Sequence, residues 1–277
     1  MVIYETLSDS YLMQEQARPI IIFDSGVGGL SIYKDVKQMT PELKVIYCAD
    51  NKGFPYGPKP EEEVVDRTSY YLRKLTERYN PSLAIIACNT ASTISLPRVR
   101  QELNIPVVGV VPAIKSASAH SKNRCFGLLA TPGTITRKYT ASLIEEFASD
   151  CNVISVGSSE LVHMAEQYFC GEKIESALLK TIIDPFFSEE ILPDSIVLGC
   201  THFPLLKHLL QPVTPVQVQW IDSGEAIARR VKALLGEAEL NSIHCEGNLF
   251  VYTGPLSYAK ALLNTLGGMG FSDFVLL

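Results

Sequence analysis

Two short apolar runs constrain this chain most, because each stops at a cysteine and then turns polar at once. The first is Leu83-Ala84-Ile85-Ile86-Ala87-Cys88, followed by Asn89-Thr90; the second is Ser195-Ile196-Val197-Leu198-Gly199-Cys200, followed by Thr201-His202. A short apolar run without alternation is what a strand buried on both faces looks like, and such strands belong to parallel sheets. Functional groups in those sheets collect at the carboxyl ends of the strands, so each cysteine falls where a cleft opens. A lone buried cysteine is ordinarily a small core-filling hydrophobe. The pattern occurs twice, each time with hydrogen-bonding side chains next, and that favours a chemical role over core filling.

The rest of the chain alternates strand and helix signals. Pro19-Ile20-Ile21-Ile22-Phe23 reads as a strand, the turn Asp24-Ser25-Gly26-Val27-Gly28-Gly29 follows, and a helix starts at Leu30. Further strands are expected at 44–49, 105–112, 127–130, 153–156 and 216–221, with a surface helix over 61–78. The last strand delivers Asp222-Ser223-Gly224, an echo of Asp24-Ser25-Gly26. Two recurring elements suggest two pseudo-symmetric, doubly wound α/β lobes with the active site at their interface. Residues 1–114 with 227–277 form the first lobe, carrying Asp24 and Cys88; residues 115–226 form the second, carrying Glu160 and Cys200.

Several conspicuous residues also have plain structural readings. The glycine turn lets backbone amides approach an anion at a helix start, yet it fits neither the phosphate loop with GK[ST] nor strict GxGxxG spacing. Without a ligand it is a tight strand-to-helix turn. Prolines and glycines around Phe54-Pro55-Tyr56-Gly57-Pro58 enforce a loop with Tyr56 at its tip, where a tyrosine is usually a packing residue. Glu160 begins a helix, where a carboxylate ordinarily just complements the helix dipole. His163, one turn on, is the kind of lone histidine that is mostly structural.

Composition bounds the remaining choices. The 277 residues, 47% hydrophobic and 19% charged, suit a globular protein of one or two domains. A net charge of −6 argues against a nucleic-acid surface, which needs a basic stripe. Seven cysteines at 48, 88, 125, 151, 170, 200 and 245, without a CxxC pair, suit a reducing compartment and give neither a disulfide framework nor a zinc site. Met1 to Arg18 lacks the apolar core of a signal peptide, and no run approaches 18 apolar residues. A soluble, cytoplasmic protein with no membrane association, metal or cofactor is expected.

Two thiols facing one another across a cleft can invert a stereocentre. A thiolate takes a proton from one face of a carbon while a thiol returns one to the other, and an ordinary thiol pKa of roughly 8.5 keeps both states accessible. The developing charge on the substrate needs donors, which Ser25, Asn89, Thr90 and Thr201 can supply. A protonated His202 would favour a thiolate at Cys200.

The set Phe23-Asp24-Ser25-Gly26-Val27-Gly28-Gly29, Pro55-Tyr56-Gly57, Ala87-Cys88-Asn89-Thr90-Ala91-Ser92 and Leu198-Gly199-Cys200-Thr201-His202-Phe203-Pro204 resembles the glutamate racemase family. The order and spacing agree over roughly residues 20 to 230, with Gly109-Val110-Val111-Pro112-Ala113 and Thr131-Pro132-Gly133-Thr134 between. The resemblance implies a cofactor-independent isomerase that interconverts L- and D-glutamate and supplies D-glutamate for peptidoglycan. It implies that Cys88 and Cys200 transfer the protons, with Asp24 assisting the first, His202 the second, and Glu160 near the second. By the same resemblance, Cys88 takes the proton from D-glutamate and Cys200 from L-glutamate. Asp24, Ser25, Pro55, Tyr56, Gly57, Asn89, Thr90, Thr201 and His202 are the implied substrate-binding residues. The long leader and the Val-Val-Pro-Ala stretch look like the proteobacterial branch, in which UDP-N-acetylmuramoyl-L-alanine can act as an activator. The oligomeric state stays open.

Other functions remain to be separated from this one. An aspartate or hydantoin racemase of the same superfamily also uses two cysteines. A thiol hydrolase would need Cys88 alone, and an amino-acid-binding module would need neither thiol for chemistry.

Overall fold

The computed structural model describes residues 18–241, 247–256 and 259–277; the leader before Arg18 and Cys245 lie outside them. The chain opens with β1 (Ile20–Asp24), α1 (Leu30–Met39), β2 (Val45–Ala49), α2 (Glu61–Tyr79), β3 (Leu83–Ile86), α3 (Asn89–Glu102) and β4 (Val107–Gly109). It continues through α4 (Ile114–His120), β5 (Cys125–Ala130), α5 (Pro132–Thr136), α6 (Lys138–Ala148), β6 (Asn152–Gly157), α7 (Glu160–Phe169) and α8 (Ser176–Ile183). Then come β7 (Ser195–Leu198), α9 (Lys207–Leu210), β8 (Gln219–Ile221), α10 (Gly224–Asn241), β9 (Asn248–Tyr252), α11 (Ala259–Gly268) and β10 (Phe271–Leu276).

The strands form two sheets in which every pairing is parallel. The larger has the order β10-β9-β2-β1-β3-β4 and the smaller β6-β5-β7-β8. Uninterrupted apolar sequence at β1, β2, β3 and β7 follows from burial on both faces. Ile20 and Ile22 point into one layer of core and Ile21 and Phe23 into the other. Leu129 and Leu198 lie on one side of the smaller sheet, Leu128 and Val197 on the opposite side. Each such fully buried side chain contributes about 1.5–3 kcal/mol.

Strand order decides where a site can form. In the larger sheet the chain leaves β1 towards β2 on one side and returns to β3 on the other, so the crevice opens between the ends of β1 and β3. In the smaller sheet the same reversal falls between β5 and β7. Cys88 follows β3 and Cys200 follows β7, so both thiols stand at a reversal point.

The Asp-Ser-Gly echo has a different origin. Gly26 N–H donates to Asp24 Oδ1 at 2.9 Å and Gly224 N–H donates to Asp222 Oδ1 at 3.0 Å, so the two turns share a local geometry. Asp222 nevertheless follows β8, an edge strand; the smaller sheet's counterpart of the Asp24 turn is Thr131-Pro132-Gly133-Thr134 after β5. β8 is also shorter than the alternation over 216–221 suggests, covering Gln219–Ile221. Among the described residues no helix is long and apolar enough to cross a membrane.

Candidate active site

Cys88 caps the N-terminus of α3 and is 6% exposed; Cys200, after β7, is 7% exposed. Asp24 is fully buried at the end of β1, and Ser25, Asn89, Thr90, Thr201 and His202 are buried with it. Ser25 Oγ lies 3.8 Å from Cys88 Sγ and donates to Asp24 Oδ1 at 3.4 Å. Thr201 Oγ1 donates to Asp24 Oδ2 at 2.9 Å, and Ser31 Oγ to the Thr201 carbonyl at 2.9 Å. Hydroxyls thus tie the β1 turn of the larger sheet to the Cys200 turn of the smaller.

Cys200 has its own partner. Its sulfur lies 3.8 Å from His202 Nδ1, and His202 Nε2 is 2.8 Å from Glu166 Oε1. The same Glu166 oxygen accepts the Val27 N–H at 2.8 Å. A Cβ on Gly28 would run into the imidazole, and one on Gly26 into the Glu166 carboxylate. Close approach to this pair therefore accounts for two of the glycines in the turn.

Burial sets the protonation balance. It is the main cause that pushes the Cys88 thiol up to about 12, reinforced by the Asp24 charge and partly offset by the Ala91 backbone N–H. Burial also raises the Asp24 carboxyl, opposed by the His202 charge and by the bonds from Gly26 and Thr201. For His202 burial disfavours the imidazolium, yet the hydrogen bonds to Cys200 and Glu166 outweigh it and hold the ring well above its ordinary value. One thiol is therefore stabilised with its proton on, and the other stands beside a cation.

Tyr56 is a buried anchor. Its hydroxyl donates to Asp50 Oδ2 at 2.5 Å, and burial together with the Asp50 charge holds the phenol well above its ordinary value. Arg67 grips Asp50 with Nε at 2.6 Å and Nη2 at 2.8 Å, and Thr253 Oγ1 donates to it at 2.6 Å. A fully buried carboxylate with this many donors fixes the loop carrying Pro55, Tyr56 and Gly57. Gly57 faces Thr131, whose Cβ would lie 3.6 Å from a Cβ built there.

Residues 21–231 match the model of the Asp/Glu/Hydantoin racemase family. A glutamate racemase of Serratia proteamaculans (strain 568) is 47% identical over 260 residues, 93% of this chain and 90% of that protein. One of Klebsiella pneumoniae (strain 342) is 50% identical over 252 residues, 91% of this chain and 89% of the relative. The chain belongs to the glutamate racemase family. The crystal structure of Escherichia coli glutamate racemase, in complex with L-glutamate and the activator UDP-MurNAc-Ala, superposes with a TM-score of 0.89. It is 44% identical, covering 94% of this chain and 98% of that one.

Asp24, Ser25, Cys88, Cys200, Thr201 and His202 share one set of side-chain contacts, whereas Tyr56 and Gly57 belong to the loop held by Asp50. Glu160 sits exposed at the first turn of α7; the carboxylate bonded to the imidazole is Glu166, six residues on. Helix phase explains the correction: Glu166 is one turn beyond buried Val162 and shares its face. A charged residue in register with an apolar stripe was the available signal. Phe54 was missed as well; its ring lies 5.8 Å from that of His202 and 5.5 Å from that of His163.

Proposed function

We propose that this protein interconverts L- and D-glutamate by a two-base proton transfer, with Cys88 serving one face of the α-carbon and Cys200 the other. The observation that carries the reading is the pairing of two buried thiols at the two strand-order reversals, each with a separate helper. With L-glutamate bound, Cys200 takes the α-proton while Cys88 delivers the proton its buried thiol holds. Starting from D-glutamate the roles exchange. Ser25, Asn89, Thr90 and Thr201 supply donors for the carboxylate on which charge develops, and such fixed donors in a water-poor site lower the barrier most.

His202 and Glu166 keep a positive charge beside Cys200, while Asp24 and Ser25 stand beside Cys88. Residues 1–114 with 227–277 act as one lobe and 115–226 as the other. The two crossings between them are joined by the Ser223 hydroxyl, which donates to the Val111 carbonyl at 2.7 Å. Incubation of L-glutamate in deuterated water tests the reaction: D-glutamate carrying α-deuterium is expected, and recovery of unexchanged L-glutamate contradicts it.

The product serves cytoplasmic peptidoglycan synthesis, and the muramoyl precursor UDP-MurNAc-Ala, named with the Escherichia coli relative, regulates this enzyme too. Support comes from a cavity of about 880 Å³ at the crossings, lined by Val111, Pro112, Ala113, Lys115, Trp220 and Arg229. Its size suits a nucleotide diphosphate, and Lys115, Lys207 and Arg229 line it together with Asp222 and Glu225. Adding the precursor is expected to accelerate racemisation; equal rates with and without it count against this regulation.

A further inference from the structure

Arg137 separates α5 from α6, and its side chain is only 9% exposed. Its one ion pair among the described residues joins Nε to Glu61 Oε1 at 3.4 Å, and Glu61 is 67% exposed. Nη1 has no hydrogen-bond partner among the described residues. A buried guanidinium with an unused donor and a single long contact to a solvated carboxylate is poorly compensated.

Its position gives that imbalance a use. A Cβ built on Gly133 would lie 3.3 Å from Nη1, 3.6 Å from Nη2 and 2.8 Å from the Gly57 carbonyl oxygen. The guanidinium therefore sits where the Thr131-Pro132-Gly133-Thr134 turn of the smaller sheet meets the Pro55-Tyr56-Gly57 loop of the larger. Both turns border the site described above. The chain as a whole carries a net charge of −6, which repels an anion, so a cation at this seam creates a local exception.

We propose that Arg137 is a docking residue for the anionic amino acid: its planar fork takes a carboxylate of the incoming substrate in place of Glu61. The inference rests on the reading that the chain racemises glutamate, a dicarboxylate whose two acid groups suit a guanidinium. Glu61 occupies the cation when the site is empty and yields because a long, exposed pair is weak. The contact belongs to entry and binding, so Arg137 governs KM, and the proton transfers stay with the thiols.

The test compares initial rates from L- and D-glutamate for wild type, Arg137→Gln, Arg137→Lys and Glu61→Gln, at low and high ionic strength. Arg137→Gln should raise KM about tenfold in both directions and leave kcat within about twofold, with the deficit shrinking in high salt. Arg137→Lys, which keeps the charge and loses the fork, should recover only part of the low-salt efficiency, and Glu61→Gln should lower KM. An unchanged KM for Arg137→Gln at low salt, or a loss confined to kcat and indifferent to salt, overturns the docking role. If Arg137→Gln does not fold, an unchanged KM in Glu61→Gln overturns it instead. Inactive wild type contradicts the racemase reading itself, whereas active wild type with a salt-indifferent Arg137→Gln contradicts only the docking role.

Discussion

Glu166 Oε1 lies 2.8 Å from His202 Nε2, and it is the atom through which α7 holds the imidazole against the Cys200 turn. Because the bond to Glu166 helps keep His202 charged, Glu166→Gln should lower kcat/KM about tenfold or more, equally in both directions. Glu160→Gln removes an exposed carboxylate and should stay within about twofold of wild type. Steady-state kinetics of the two variants decide between these carboxylates, and a silent Glu166→Gln with a damaged Glu160→Gln reverses the assignment.

Gly28 packs directly under the His202 ring. Gly28→Ala should displace the imidazole, cost about 1–3 kcal/mol of stability and depress turnover, because the added methyl has no space. Gly267, on the exposed side of α11 with nothing near its Cβ position, is the control: Gly267→Ala should leave stability unchanged or raise it. Urea unfolding of both variants checks the contrast.

Asp35 on α1 meets the start of α10, where burial first and the Asp222 charge second push its carboxyl up to about 6. The folded state then holds this proton more tightly than the unfolded chain between about pH 4 and 6. The stability Asp35 contributes is therefore fully present below about pH 4 and is lost as pH rises through about 6. Asp35→Asn should flatten the fall of the urea midpoint over that window and unfold at higher urea than wild type at pH 7. A parallel pH dependence in the two proteins counts against the mechanism.

Strand interiors and both thiol positions were legible because parallel strands write their burial into uninterrupted runs such as 20–23, 83–86 and 195–198. Strand order was not, since the equivalence of the Asp24 turn with the Thr131 turn depends on which edges pair, whereas the Asp222 echo is only a local turn. The family resemblance pointed to Glu160, whose place at a helix start has only a structural reading; the partner of His202 is fixed by helix phase and by a contact 36 residues distant in sequence. Arg137 carried no local signal, because its burial comes from the meeting of two turns from different sheets.

The two helpers can be separated by isotope. Asp24→Asn and His202→Asn should each lower kcat/KM equally in both directions, since the enantiomers are equal in energy in achiral water. Deuterium incorporation into recovered substrate should differ between them, because each variant slows a different proton transfer. Matching exchange patterns from either enantiomer contradict the assignment of Asp24 to Cys88 and His202 to Cys200.

The central claim is that each face of the α-carbon has its own thiol, and racemisation by Cys88→Ser and Cys200→Ser measures it most directly. Serine is too weak an acid, and its alkoxide too costly near neutral pH, to replace either sulfur. The account predicts that both variants keep wild-type circular dichroism and lose at least about a hundredfold in kcat/KM in both directions. Either variant folding normally and turning over both enantiomers at near wild-type rates would contradict it.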